Sequence, residues 1–306
     1  MRGPGGRFRQ FFHLATLLAI YSAEAHAQGR IECGAVASTI LRQPVRYCVF
    51  LPPSYDAATT NTVARDVRRY PVLYALHGLG DNEQSLVNTG AWTLIQDLRE
   101  HHKIGEFLIV TPDGEQTFYI NSRDGRVRYS DFFIREFLPA VERKYRVRAG
   151  RQWRGITGMS MGGYGALRFA FAYPQLFGAV SAHSAAIVAK PPGQSNRAVD
   201  TGSSLAALLG ALYGNPVDLA FWNQNSPLVL AKGNPSALSR LRIYFDCGSE
   251  DSYGFDNGAR ALHEELDALK VKHEFHIYPG GHGVEYYLTH VAESIQFHSR
   301  AFDAAK

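Results

Sequence analysis

The 306-residue chain has only three cysteines, and it lacks any run of eighteen uncharged apolar residues. Without such a run, no segment is long enough to span a bilayer as a helix. The formal charge is only +4, and no cluster of lysines and arginines suggests a basic groove. We therefore expect neither nucleic-acid binding nor stable membrane insertion. With 45% hydrophobic and 20% charged residues, the composition is that of a globular protein with a large core.

Residues 1–27 have the three parts of a secretory signal peptide. The start carries three arginines and no acid, and an apolar run follows over residues 14–23. Ala25 and Ala27 then provide an A-x-A cleavage motif. We expect cleavage after Ala27 and a secreted or periplasmic protein. The alternative is a disordered or buried N-terminal helix.

Two of the cysteines lie on neighbouring apolar segments. Cys33 and Cys48 flank the sequence LRQP, which is typical of a hairpin turn. Because an exported protein meets oxidising conditions, we expect these two residues to form a disulfide if the strand register allows it. Cys247 is expected to be a small buried apolar residue. No spacing of cysteine and histidine resembles a zinc site, and we expect no metal or organic cofactor.

Apolar segments and amphipathic segments alternate along residues 28–306, which we interpret as one domain. Strands are predicted at 70–78, 107–114, 153–160, 177–186, 240–248 and 273–281. Helices are predicted at 91–103, 130–147, 161–174, 257–271 and 285–302. This order predicts an α/β fold with a mostly parallel central sheet and helices on both faces. Only residues 187–239 break the alternation, and we interpret them as an insertion with helical stretches at 205–214 and 219–231.

The sequence GMSMGGYGA, residues 158–166, lies between a predicted strand and a predicted helix. It contains the G-x-S-x-G pattern, in which a sharp turn leaves room for little more than glycine at Gly158 and Gly162. Such a turn would raise the Ser160 hydroxyl above the sheet. It would also place the Met161 amide at a helix N-terminus, where it could stabilise an oxyanion. We predict that Ser160 is a nucleophile; the alternative is a glycine-rich turn with an idle serine.

A serine nucleophile needs a base, and the base needs an orienting carboxylate. Of the 12 histidines, His282 follows a predicted strand and precedes the last helix, on the sequence PGGHGVEYY. Asp251 lies on the loop after the preceding strand, whereas Asp246 falls within that strand and is expected to make a structural hydrogen bond. Asp251 is the favoured carboxylate, with Glu250 and Asp246 as alternatives. The chain order Ser, Asp, His is that of enzymes whose nucleophile lies in a G-x-S-x-G turn.

The loop after an early strand completes the predicted site. The sequence HGLG, residues 77–80, is placed to give the Leu79 amide as a second oxyanion donor, although it could be a simple turn at a strand end. Aromatic residues could line a cleft for an aromatic acyl group, or could equally be core residues. These candidates for substrate binding are Tyr119, Tyr164, Trp222, Tyr286 and Tyr287.

Four segments together carry a family resemblance: LHGLGDN, GMSMGGYGALRFAFAYPQLFGAVSAHS, DCGSED and PGGHGVEYY. They resemble the putative-esterase family of α/β-hydrolases, and the resemblance runs from about residue 33 to residue 302, nearly the whole expected mature chain. That family includes feruloyl and acetyl-xylan esterases, tributyrin-type carboxylesterases, S-formylglutathione hydrolases and mycolyltransferases. The resemblance implies a Ser160–His282–Asp251 triad with the two predicted amide donors. Gly283 departs from the acidic residue that many members carry after this histidine.

These features predict a secreted serine carboxylesterase. It would hydrolyse short-chain or aromatic esters, such as acetyl or feruloyl esters, through an acyl-enzyme intermediate. Its partner would be a small-molecule ester or an ester linked to a polysaccharide. Two alternatives remain: an acyltransferase of the mycolyltransferase type, which would use a sugar or lipid hydroxyl as acceptor, and a catalytically idle secreted binding module.

Overall fold

The computed structural model describes Met1 and residues 29–56, 68–191 and 204–306. Apart from Met1, the predicted signal peptide and its cleavage motif lie outside the described residues. Within the described residues, no helix combines the length and the apolar character needed to cross a membrane.

A mixed sheet forms the centre of the described chain. Its strands are β1 (Arg30–Ala37), β2 (Pro44–Leu51), β3 (Val72–Leu76), β4 (Leu108–Pro112), β5 (Arg154–Gly158), β6 (Ala179–His183), β7 (Arg242–Gly248) and β8 (Glu274–Tyr278). They are arranged in the order β1-β2-β4-β3-β5-β6-β7-β8. Strand β2 pairs antiparallel with both β1 and β4, and all other pairs are parallel. The chain thus has the predicted α/β-hydrolase architecture.

Helices cover both faces of this sheet. They are α1 (Ser85–Asn88), α2 (Ala91–Glu100), α3 (Tyr129–Phe132), α4 (Leu138–Lys144), α5 (Met161–Ala172), α6 (Ser204–Tyr213), α7 (Leu219–Asn225), α8 (Pro227–Gly233), α9 (Pro235–Leu238), α10 (Phe255–Ala268) and α11 (Val284–Asp303). A π-helical turn joins α3 to α4, and a 3₁₀ turn precedes β5.

The inner strands are apolar on both faces, because each face is covered by helices. Alternate residues of β3 show this division. Leu73 packs into a core shared with α2 and α11, whereas Val72 and Tyr74 pack into a larger core on the other face, shared with α5 and α10. Every residue of β3 is buried. This two-sided burial explains why the sequence shows continuous apolar runs instead of alternation.

Two predicted helices differ in detail from the observed ones. The segment 130–147 forms α3, the π-helical turn and α4, and its helical structure ends at Lys144. The predicted helix 219–231 is divided into α7 and α8 at Pro227. Ser226 has an extended backbone with ψ of 122°, as expected for a residue that precedes proline.

The two N-terminal strands form a hairpin, and its register pairs Cys33 directly with Cys48. Their Cα atoms lie 4.0 Å apart, and their sulfurs are joined in a disulfide. Cys247 is buried and unbridged, and burial raises the pKa of its thiol well above the usual range. The site described next lies beyond the carboxyl ends of the parallel strands.

Candidate active site

Ser160 occupies a sharp corner between β5 and α5. Its backbone has φ of 55° and ψ of −117°, a conformation that costs a non-glycine residue about 1–3 kcal/mol. Hydrogen bonds on both sides hold the corner in place. The Ser160 amide donates to the His183 carbonyl at 2.9 Å, and the Ser160 carbonyl accepts from the Tyr164 amide at 2.9 Å. The neighbouring strand and the first turn of α5 therefore stabilise the strained residue.

The glycines on either side of Ser160 are required by close backbone contacts. A Cβ atom on Gly158 would lie 2.3 Å from the carbonyl carbon of Gly162, and one on Gly162 would lie 2.0 Å from the carbonyl oxygen of Leu76. The first contact is the crowding predicted across the turn. The second shows that Gly162 is constrained by the end of β3 rather than by Gly158. No side chain fits at either position.

The structure brings Ser160, His282 and Asp251 into one chain of contacts. Nε2 of His282 lies 3.0 Å from Oγ of Ser160, and Nδ1 of His282 lies 2.8 Å from Oδ2 of Asp251. Because the carboxylate can only accept, Nδ1 carries the proton in this arrangement and Nε2 faces the serine hydroxyl. The alternative carboxylates lie elsewhere: Glu250 is exposed, and Asp246 accepts a hydrogen bond from the Tyr286 hydroxyl at 2.8 Å.

The surroundings of His282 fix its orientation. Tyr253 and Phe255 pack in T-shaped contacts with the imidazole ring, with centroids 4.8 and 5.4 Å away. The Asp251 side chain is fully buried. Burial raises the pKa of this carboxyl. Hydrogen bonds from His282 and from the Tyr253 amide lower the pKa by a larger amount, so the net pKa lies below the usual range. Asp251 is therefore ionised and able to stabilise positive charge on the imidazole.

The loop after β3 lies beside the serine. A Cβ atom placed on Gly78 would lie 3.8 Å from Cβ of Ser160. Neither the Leu79 amide nor the Met161 amide donates a hydrogen bond to another described residue. The Met161 amide also begins α5, where the helix dipole contributes positive potential. The two predicted donors are thus adjacent to Ser160 and available to an anion.

His77, whose position in the sequence does not predict a function, fixes this loop through hydrogen bonds of both ring nitrogens. The Gly114 amide donates to Nε2 of His77 at 2.8 Å, so the proton of the neutral ring lies on Nδ1. Nδ1 lies 2.8 Å from the Gly78 carbonyl and donates to it. Because a peptide unit is planar and trans, fixing this carbonyl also fixes the opposite direction of the Leu79 N–H. The one sequence signal for this contact is that His77 directly precedes Gly78 in the sequence HGLG.

A cleft of about 520 Å³ opens above Ser160. Among the described residues its walls are mainly apolar, and Asp81 is the only acidic residue that lines it, with no lysine or arginine. The apolar side chains that line it include Leu79, Leu86, Phe118, Tyr253, Phe255, Val284 and Tyr287. The residues that follow Gly283, where the chain departs from the family pattern, thus contribute Val284 and Tyr287 to the wall.

The structure corrects the predicted aromatic wall. Of the five predicted residues only Tyr287 lines this cleft. Tyr119 is fully buried, and its hydroxyl donates to the His77 carbonyl at 3.0 Å. Tyr286 is directed toward Asp246 in the core. Tyr164 and Trp222 line a separate small cavity of about 10 Å³ behind Phe118 and Phe255. Phe118 and Tyr119 are adjacent, and both have a positive φ that belongs to no regular helix or strand. Hydrophobic periodicity therefore could not show which of the two side chains faces the cleft.

Comparison with known proteins identifies the family to which the chain belongs. The family model described as "Putative esterase" matches residues 38–297. The chain belongs to this esterase family. Its relatives include Esterase Rv1288 from Mycobacterium tuberculosis, which is 30% identical over 241 residues, covering 70% of this chain and 49% of the relative. The chain therefore spans about half the length of that mycobacterial esterase.

Two further proteins are similar to this chain. An acetyl esterase from Caldicellulosiruptor saccharolyticus is 25% identical over 241 residues, covering 78% of this chain and 86% of that protein. A ferulic acid esterase of known structure superposes with a TM-score of 0.74 at 26% identity, covering 90% of this chain and 99% of the other. The esterase fold thus extends over nearly all of the described residues.

The corner at Ser160 generates a stability prediction. Replacing Gly158 by alanine places a methyl group against the Gly162 backbone, which cannot move without distorting α5. We expect the free energy of unfolding to fall by about 1–3 kcal/mol or more, measured by urea denaturation. Gly233→Ala is the matched control, because a Cβ there meets nothing within 4 Å. Alanine at this helical position should leave stability unchanged or raise it by up to about 1 kcal/mol. Equal stability of the two variants would contradict the packing described.

Proposed function

We propose that the chain is an exported serine carboxylesterase that uses Ser160, His282 and Asp251 as a catalytic triad. The observation that carries this proposal is the pair of contacts at His282, 3.0 Å to the serine hydroxyl and 2.8 Å to a buried carboxylate. Neighbouring loops on one edge of the sheet supply all three groups, beneath an apolar cleft. The names of the relatives, acetyl esterase and ferulic acid esterase, agree with ester hydrolysis.

The first half of the reaction forms an acyl-enzyme. Oγ of Ser160 attacks the ester carbonyl carbon while Nε2 of His282 takes the hydroxyl proton. The carbonyl oxygen becomes negatively charged, and the Leu79 and Met161 amides donate hydrogen bonds to it. The carbon–oxygen bond to the alcohol then breaks. Nε2–H of His282 protonates the departing alcohol, and the acyl group remains on Ser160.

The second half of the reaction removes the acyl group. A water molecule enters the position of the departed alcohol, and Nε2 of His282 takes its proton as the oxygen attacks the acyl carbon. The same two amides stabilise the second oxyanion, and Ser160 leaves with the proton from His282. Asp251 keeps the imidazole in the required tautomer during both steps.

The lining of the cleft favours neutral acyl groups. The described walls offer aromatic and aliphatic surface for a short-chain or aromatic acid, and no lysine or arginine that would pair with a carboxylate. Asp81 would repel an anionic substrate that approached closely. We therefore propose short-chain or feruloyl-type esters, either free or linked to a polysaccharide. Acyl transfer to a sugar or lipid hydroxyl would use the same triad and differ only in the acceptor.

Export of the protein is supported by two observations. The first 27 residues have the composition of a secretory signal, and the chain pairs Cys33 with Cys48 in a disulfide. Disulfides persist in oxidising compartments and are rare in the cytosol. An exported enzyme would meet environmental or polysaccharide esters rather than an intracellular thioester.

The triad predicts a large kinetic effect for one small substitution. Ser160→Ala removes the nucleophile without adding volume, so kcat/KM on p-nitrophenyl acetate should fall at least about a thousandfold. Ser236 is exposed on α9, which precedes the amino end of β7, and it does not line the cleft, so Ser236→Ala should retain full activity.

A substrate panel separates the proposed functions. We expect turnover of p-nitrophenyl acetate and butyrate. The rates on p-nitrophenyl octanoate and on methyl ferulate then show whether the cleft accepts a long aliphatic or an aromatic acyl group. Products formed with added alcohol or trehalose distinguish transfer from hydrolysis. An idle binding module would hydrolyse none of these esters, and its basal rate would not change in Ser160→Ala.

The position of His77 predicts a loss of kcat. His77→Ala frees the Gly78 carbonyl, so the Leu79 amide loses its fixed direction. We expect kcat to fall about tenfold to a hundredfold with little change in KM, less than the loss from deleting an oxyanion donor outright. In His77→Asn the side-chain amide can replace Nδ1–H, so part of the rate should return. An equal effect on kcat and stability in both variants, without rescue, would show a purely structural role.

Export predicts a defined mature terminus. Bacterial expression of the full chain should yield a protein that begins at Gln28, detectable by intact mass in the periplasm or medium. Ala27→Phe should block this cleavage because the position before the cut requires a small residue. Recovery of the whole chain in the cytoplasm with residues 1–27 attached would contradict the proposal.

A further inference from the structure

Three ligand-type side chains meet at the edge of the sheet far from Ser160. His263 and Asp267 lie one turn apart on α10, so they share a face of the helix. His273 follows this helix and directly precedes β8. Nδ1 of His263 lies 2.8 Å from Nε2 of His273. Oδ2 of Asp267 lies 3.5 Å from Nε2 of His263, and Oδ1 of Asp267 lies 4.0 Å from Nε2 of His273. One ligand atom from each residue lies within 4.8 Å of the others.

The two imidazoles are held in place by their surroundings. Nδ1 of His273 lies 2.8 Å from the Val271 carbonyl, which can only accept, so Nδ1 carries the proton and Nε2 presents its lone pair to the cluster. This backbone contact is the type that orients metal-binding histidines. The His273 ring stacks on Phe245, and the His263 ring stacks on Phe275 with centroids 4.6 Å apart. The donor atoms are thus largely preorganised.

The carboxylate of Asp267 faces the two rings rather than a cation. Among the described residues its ionic contacts are with His263 and His273, and no lysine or arginine pairs with it. Lys270 and Lys272 line the same open depression, and their charges oppose a bound cation. Both are exposed to solvent, where water and salt screen the repulsion.

We propose that His263, Asp267 and His273 bind one divalent transition-metal ion of the Zn²⁺ type. Two imidazole nitrogens and a carboxylate form a donor set that Zn²⁺ prefers, and the fourth position would open to solvent. Two nitrogens on a tetrahedral zinc stand about 3.3 Å apart, from Zn–N bonds of about 2.0–2.1 Å. The His263 ring, which is partly exposed, must therefore carry its proton on Nε2 instead of Nδ1, facing Asp267, and move outward by about half an ångström.

The ion would connect the end of α10 to the start of the edge strand β8. The proposed triad lies beyond the carboxyl ends of the strands, whereas this cluster precedes the amino end of β8, so the metal would take no part in ester hydrolysis. Its effect would be on stability, because an ion that binds only the folded chain raises the free energy of unfolding. The inference does not depend on the proposed function.

The test is calorimetric titration of the full chain, stripped with a chelator, with Zn²⁺ at neutral pH. We expect one saturable site, and affinity at least about tenfold weaker in His263→Ala and in Asp267→Asn. Both positions are exposed enough for these variants to fold. His101→Ala is the matched control, since His101 and Asp97 form a similar exposed pair at 3.2 Å, one turn apart on the helix axis. This variant should bind like the wild type.

Thermal unfolding provides a second measurement. Saturating Zn²⁺ should raise the melting temperature of the wild type and of His101→Ala, but not of His263→Ala. Absence of saturable binding by the wild type would overturn the proposal. So would binding that survives His263→Ala with unchanged affinity, since the ion would then lie elsewhere, for example at His282.

Discussion

The close approach of three backbone segments at Gly158 and Gly162 is the constraint on which the site depends. The end of β5, the first turn of α5 and the end of β3 meet at distances that leave no room for a Cβ atom. This packing forces the intervening residue into a strained conformation and directs its hydroxyl away from the sheet. It also places two backbone amides beside that hydroxyl. The proposed nucleophile and the proposed oxyanion donors therefore depend on one packing arrangement.

A buried polar cluster connects the segments that carry the other groups. Nδ1 of His183 lies 2.8 Å from Oδ2 of Asp246, and both side chains are completely buried. Burial raises the pKa of Asp246, but contacts with His183 and Tyr286 lower it to a net value below the usual range. Nε2 of His183 also contacts the Ser294 hydroxyl at 2.7 Å.

These contacts tie together the supports of the three proposed catalytic residues. His183 lies on β6 and its carbonyl accepts from the Ser160 amide; Asp246 lies on β7, which leads to Asp251; and Ser294 lies on α11, which begins just after His282. Removing His183 would leave the buried Asp246 carboxylate without its contact at Oδ2, which is destabilising. The cluster therefore fixes the distances between loops that are far apart in sequence.

Much of this architecture follows from local sequence patterns. The parallel strands were predictable because strands that are buried on both faces appear as continuous apolar runs in the sequence. The corner at Ser160 was predictable because close backbone contacts require glycine at the flanking positions. Residues that act through long-range packing were not predictable. Tyr119 and Phe118 are neighbours in sequence, yet one supports the loop after β3 and the other faces the cleft, and nothing in their composition separates them. The contacts of His77 likewise depend on Gly114, which is 37 residues away.

The central claim is that packing at this corner makes the Ser160 hydroxyl a nucleophile through His282. The most direct measurement is fluorophosphonate labelling of the folded and the denatured protein, followed by peptide mass spectrometry. We expect a single adduct, on Ser160, formed by the folded protein and lost after denaturation, because activation requires the folded geometry. Absence of an adduct on the folded protein, or equal labelling of other serines in both states, would contradict it.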